Sequence, residues 1–286
     1  MTVLSPAQWH PYAEAHAERA DALTRGHRER RRHGHTHPVE DFLFTYYPTK
    51  PAQLRVWHPG AGLALAQAPE YARRRWYSSQ HGAAGLDVAA FLAERADAVE
   101  YIHHLISRTR ARPARLSCFG LHEWAMVYRA EEVRHTQVPL RLGAAGTDEV
   151  VRAHPLRCSH FDAFRFFTEP AVPRNERPLT RADQPASEQP GCLHANMDVY
   201  KWATKLGPAV PGELLLDAFA LAREIRELDM RASPYDLTDW DYEPVPIETA
   251  AGKATYVSAQ RSFAERANAL RDRLLQVTTA LRAPAS

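Results

Sequence analysis

Cysteine is scarce in this chain of 286 residues. The three present, Cys118, Cys158 and Cys192, are odd in number, widely spaced and free of any CxxC, which excludes a disulfide framework and a closed zinc ribbon. Long apolar runs are missing too. The strongest, over 214–221, is broken by Asp217, and nothing approaches the roughly 20 apolar residues of a membrane span. The opening MTVLSPAQWHPYAEAH lacks the basic stretch, apolar core and small-residue cleavage site of a secretory signal, so a cytoplasmic protein with no membrane partner is expected. No GxSxG, P-loop or GxGxxG occurs, which leaves acyl hydrolysis, nucleoside triphosphate hydrolysis and dinucleotide binding without support. HExxH is absent as well, because the pair His122 and Glu123 has no second His four residues on. A zincin is not expected, and neither a cofactor nor a specified metal site is read from the sequence.

Lysine supplies only four of the 36 basic residues, and arginine, the better bidentate phosphate ligand, supplies the rest. The formal charge of +2 hides an asymmetry: residues 213–248 hold ten acids against Arg223, Arg226 and Arg231. An apolar fraction of 45% with 24% charged residues is that of an ordinary folded protein and excludes disorder over most of the length.

Helical periodicity runs through 6–32, 86–110, 193–205, 212–231 and 257–282, with shorter helices expected at 39–47, 120–130 and 147–152. Two short strands are expected at 138–142 and 154–160. The stretch 59–85, rich in Gly and Ala, reads as loop and short elements, and 168–190, with five prolines, reads as a long loop. The expected fold is mainly α, a single helical domain over 1–286 with a small β element. Residues 1–37 form an N-terminal helix and basic run, and no composition break divides the chain.

Four segments set ionisable side chains among aromatics: HPVEDFLFTYY from His37, CFGLHEWAMVYR from Cys118, RCSHFDAFRFF from Arg157 and CLHANMDVYKW from Cys192. Each pairs a His with a nearby carboxylate: His37 with Glu40 or Asp41, His122 with Glu123, His160 with Asp162, and His194 with Asp198. A core built only for stability rarely holds so many ionisable groups, because an unpartnered buried charge costs several kcal/mol. One shared polar pocket is therefore expected. Any single pair taken alone is more often structural, capping a helix or satisfying a backbone group.

An aromatic pocket with a carboxylate suits a flipped nucleobase held between rings while the carboxylate activates water. Asp162, flanked by Phe161, Phe164, Phe166 and Phe167, is the first choice for that carboxylate, and Glu123 is the second. An ion pair of Asp162 with Arg157 or Arg165 is the structural alternative. His122, Trp124, His160, His194, Asn196, Asp198, Tyr46 and Phe164 are the candidate base-binding residues. Arg73, Arg74 and Arg75 followed by Trp76 combine charge with a stacking surface, and together with Lys50 and Lys201 they are the candidate DNA contacts. The basic run at 28–32 reads as a solvated helix end.

The fragments HPVEDFLFTYYPTKPAQLRVWHPG, CFGLHEWAMVYR, LRCSHFDAFRFFTEPA and GCLHANMDVYKWA resemble an actinobacterial family commonly labelled 3-methyladenine DNA glycosylase, over most of the chain from His37 to about Leu275. The resemblance implies excision of a damaged or modified base from DNA. No LPGVG-like hairpin is present, and LGPAVPG at 206–212 is only a superficial echo, so no catalytic residue carries over from the helix-hairpin-helix glycosylases. The resulting expectation is a monofunctional DNA glycosylase that flips an alkylated or bulky hypermodified base and uses carboxylate-activated water. A lyase is disfavoured, since Lys201 is the only lysine within the four segments. The runner-up is a metal-dependent hydrolase or oxidase of a small molecule using His122, Glu123, His160, Asp162, His194 and Asp198. A third reading is a non-catalytic interaction module that presents the acidic 213–248 region.

Overall fold

The side chain of Gln8 folds back to accept a hydrogen bond from the Ser5 backbone N–H at 2.8 Å, and Pro6 follows at a position where no N–H is needed. These two signals start α1 (Pro6–Arg32), which ends on three arginines that favour the negative end of the helix dipole. The computed structural model describes residues 1–131, 133 and 137–283. Among them are eleven further α-helices: α2 (Phe42–Tyr46), α3 (Pro51–Leu54), α4 (Pro69–Ala72), α5 (Val88–Arg110), α6 (Leu121–Ala125), α7 (Gly143–Ala153), α8 (Phe161–Phe164), α9 (Gln184–Ser187), α10 (Leu193–Leu206), α11 (Gly212–Arg231) and α12 (Ala250–Arg282). The fold is mainly α, as the periodicity requires. None of these helices is long and apolar enough to cross a membrane.

One mixed sheet accompanies them, with β1 (Thr2–Leu4) parallel to β2 (Leu63–Ala66), then β4 (Ala83–Leu86) antiparallel to β2, and β3 (Tyr77–Gln80) at the edge. Val3 lies opposite Ala64, Leu65 opposite Ala84, and Ser79 opposite Ala84 on its other side. Three of its four strands thus lie in the 59–85 stretch expected to hold loop and short elements, and not at 138–142 and 154–160. Its two central strands, β2 (Leu-Ala-Leu-Ala) and β4 (Ala-Ala-Gly-Leu), are Ala-rich and carry little intrinsic β preference. What makes the hairpin is the two-residue turn His81-Gly82, both at positive φ, the conformation that matches strand twist.

The two expected strands reduce to isolated bridges, Leu140 with Tyr235 and Leu156 with Asn175. Around Cys158 the Asn175 side chain takes the place of a neighbouring strand, accepting from Cys158 N–H at 2.8 Å and donating to its carbonyl at 3.1 Å. The 168–190 stretch is not a bare loop either. It holds two 3-10 turns, Val172–Arg174 and Arg181–Asp183, before α9.

α10 is buried on nearly every side from Leu193 to Tyr200, against α11, α12 and α5. An uninterrupted buried helix has no solvent face for polar groups, so His194, Asn196 and Asp198 must find partners inside. The acidity of the 213–248 region is offset in part. Asp217 pairs with Arg19 and Arg273, Glu224 with Arg266 and Glu248 with Arg141, all from distant elements, while Glu213 accepts from the Trp57 indole.

Candidate functional site

Three of the four aromatic segments converge around α10, and the fourth reaches them through Tyr46 and Tyr47. The His122 ring meets the His194 ring edge to face at 4.3 Å, and the His194 and His160 rings stack at 5.5 Å. Phe119 and Gly120 both take positive φ immediately before α6, so the chain turns sharply and α6 enters the interior with all five residues buried. A non-glycine residue at φ 50 stores about 1–3 kcal/mol, a strain retained where surrounding packing requires it.

The residues gather, but mostly in pairs other than the local ones, although Asp41 does accept from the His37 backbone N–H at 2.8 Å. His122 bonds Asp229 of α11 through Nε2 at 2.8 Å, while Glu123 sits 3.3 Å from the Arg226 guanidinium, which also donates to Asp229 at 3.0 Å. His160 contacts Asp198 and Glu188 at 3.3 Å each. Asp198 further accepts from the Tyr47 hydroxyl at 2.8 Å and from Lys201 at 2.9 Å. Asp162 takes the second Lys201 contact at 2.8 Å, with Arg181 at 3.2 Å and Arg165 at 3.3 Å. Of its two expected partners, then, Arg165 is one. His37 caps its own turn, its Nδ1 accepting from the Val39 and Glu40 backbones, and Asp41 pairs with His27 and Arg30 outside the centre.

Electrostatics follow from these partners. Burial disfavours charge on Asp198, yet Lys201 and His160 hold its carboxyl well below the usual range. Burial works against a charged His160, but Glu188 and Asp198 carry its pKa above 6.5. His194 has no carboxylate of its own, and burial beside His122 drives it well below 6.5, so it is a neutral imidazole. Asp162 is lowered by Lys201 against the effect of burial and is ionised at neutral pH. Burial pushes the Tyr46 hydroxyl up to about 12.

A cavity of about 270 Å³ opens beside this network. Phe42 and Tyr46, with rings stacked at 5.1 Å, Phe166 and Met126 form its walls, and Asp162, Glu123, His194, Arg226 and Thr45 supply polar groups. Arg226 lies over the Phe42 ring at 3.8 Å. Thr45 also lines a second cavity of about 610 Å³ that contains Arg31, His35 and Lys50. That one shares Pro48 and Thr49 with a third, about 640 Å³, lined by His58, Arg74, Arg75 and Trp76. The segment 42–51 therefore borders three neighbouring cavities.

Of the candidate site residues, Asp162, Glu123, His194 and Tyr46 line the first cavity. His122, His160 and Asp198 support it from behind. Trp124 is fully buried and donates its indole N–H to Ala232 O, an anchor of the core, and Phe164 packs on Phe167 while Phe166 takes the wall position. Asn196 is occupied by Pro190 O and the buried Arg271. Lys201 is drawn inward between Asp162 and Asp198 instead of facing a nucleic acid. Arg73, Arg74 and Arg75 are exposed, with Arg75 paired to Glu94 and stacked on Trp76 at 4.3 Å.

The sequence reading missed Arg226, Asp229, Glu188 and Tyr47. Arg226 and Asp229 did leave a signal: with Ala222 they continue the apolar stripe of α11 at i, i+4, i+7, placing two charges on the buried face. Glu188 left none, lying in an irregular proline-rich stretch. No protein-family model, no curated protein and no solved structure matches the chain.

Proposed function

We propose that the protein is a cytoplasmic, monofunctional DNA base N-glycosylase that excises a modified base. The observation that carries the reading is the joint presence of Asp162 and Glu123 in one aromatic-walled cavity of ring-ligand size. Phe42, Tyr46 and Phe166 offer faces for stacking an extruded base. Glu123, the Arg226 guanidinium, the neutral His194 and the protonated Tyr46 hydroxyl offer donors and acceptors to its edge, which suits a neutral modified base better than a cationic alkylated one. The adjoining cavities with Lys50, Arg74 and Trp76 give the flanking backbone a basic, partly aromatic track.

In this reading Asp162, kept ionised by Lys201, accepts a proton from water as the water oxygen bonds to the sugar C1′. The N-glycosidic bond breaks, and its electron pair leaves with the base. Lys201 is an unsuitable Schiff-base nucleophile, since two carboxylates hold it as an ammonium ion with a raised pKa. The resemblance of the four aromatic segments to the glycosylase-labelled family supports the same chemistry.

The test is release of free base, read by mass spectrometry, from DNAs carrying alkylated or hypermodified bases. General-base catalysis contributes on the order of 10²–10⁴ in rate, so Asp162→Asn should lose at least about 100-fold. Absence of base release from every DNA, or equal release by the variant, refutes the assignment.

A further inference from the structure

We propose that His122, Glu123, His194 and Asp229 form the ligand set of a divalent transition-metal centre at the inner wall of the cavity. One donor atom from each lies within 4.8 Å of all the others, and the four side chains come from α6, α10 and α11, as in metal centres built between facing helices. All four residues are more than nine-tenths buried. A second, independent observation points to a ligand: His194 Nδ1 is sealed from solvent with no hydrogen-bond partner. An orphaned buried polar atom is rare in a native interior, and metal coordination by the imidazole would satisfy it.

The donor set is two imidazoles and two carboxylates with no thiolate, a combination suited to Zn²⁺, Mn²⁺ or Fe²⁺. One outer contact is already in place, because Arg226 donates to the Asp229 carboxylate at 3.0 Å. Glu123 and His194 line the cavity and give the ion a route inward. The neighbouring group of His160, Glu188 and Asp198 is equally compact, but none of the three lines the cavity. It acts as support.

The centre does not rest on the glycosylase reading. Metal occupancy is measured on the purified chain and base release on DNA, so either can fail alone. The full chain, stripped by chelator, would be dialysed to equilibrium against Zn²⁺, Mn²⁺ or anaerobic Fe²⁺, alongside His194→Gln, Asp229→Asn and the exposed control Asp272→Asn. Circular dichroism would report folding. Wild type should hold one ion per chain, His194→Gln and Asp229→Asn should bind on the order of 100-fold more weakly, and the control should still bind. X-ray absorption of the loaded wild type should show imidazole scattering from two histidines, a readout that needs no variant to fold. Retention of none of the three metals by wild type, equal retention by all variants, or an absorption spectrum without imidazole overturns the centre.

Discussion

Asp198→Asn offers a direct measure of how strongly the buried network holds the fold. Asp198 is 1% exposed and accepts from Tyr47 at 2.8 Å, from Lys201 at 2.9 Å and from His160 at 3.3 Å. The amide retains one oxygen, but its nitrogen meets Lys201 or His160 donor against donor. Breaking a buried ion pair from one side costs about 3–5 kcal/mol, because the abandoned charge stays desolvated. Here the cost belongs at the lower end, since Lys201 keeps Asp162 and His160 keeps Glu188. An unfolding entropy of about 2.1 cal/mol/K per residue gives roughly 0.6 kcal/mol/K for 286 residues, so a loss of about 3 kcal/mol should lower Tm by about 5 °C. The assay is calorimetric melting at pH 7 and again in acid. Because the folded pKa of Asp198 is depressed, its stabilisation is complete above the unfolded value of about 4 and is lost as pH falls through the folded one. The gap between wild type and variant should therefore close in acid. A drop smaller than about 2 °C at pH 7 would refute the argument that the fold depends on this carboxylate.

Further consequences concern the rest of the molecule. Burial lowers the His58 pKa to about 4, and a depressed histidine contributes stability above pH 6.5 that is lost as pH falls toward 4. This amounts to about 3 kcal/mol, and urea unfolding at pH 7 and 4.5 should show His58→Asn with a shallower acid decline than wild type. At Gly252 a Cβ would press on the Pro246 backbone, which cannot swing aside as a side chain can, so Gly252→Ala should cost about 1–3 kcal/mol in denaturant titration. If the cavities along 42–51 carry DNA, Lys50→Ala and Arg74→Ala should each reduce the salt slope of binding by about one. Arg75→Ala should change it less, because Glu94 already neutralises that arginine. Identical slopes for all three in fluorescence anisotropy would contradict the basic track.

The long helices were legible because their signals are local. The Ser5–Gln8 cap, the apolar stripe of α5 and the span of α11 are written in neighbouring residues, and α1 and α11 match the expected bounds. α12 begins seven residues earlier than its apolar periodicity suggested, because Thr249 caps it by accepting from Gly252 N–H. The place of the small β element was not legible, for the opposite reason. Ala-Ala-Gly-Leu has no strand preference of its own, and only β2 and β3 beside it, with β1 beyond, make β4 a strand.

The candidate site divides the same way. Sequence alone singled out His122, Glu123, His160, Asp162, His194 and Asp198, because ionisable groups among aromatics are costly to bury and so stand out. It could not say which groups would meet, since hydrogen-bond partners are decided by distance and not by separation along the chain. His122 lies one residue from Glu123 yet bonds Asp229 across 107 positions, and Asp162 bonds Lys201 39 residues on. The residue types came from the sequence. The pairing, the charge state of each group and the cavity they share arise only when α6, α8, α10 and α11 pack, because each depends on which side chains exclude water from which.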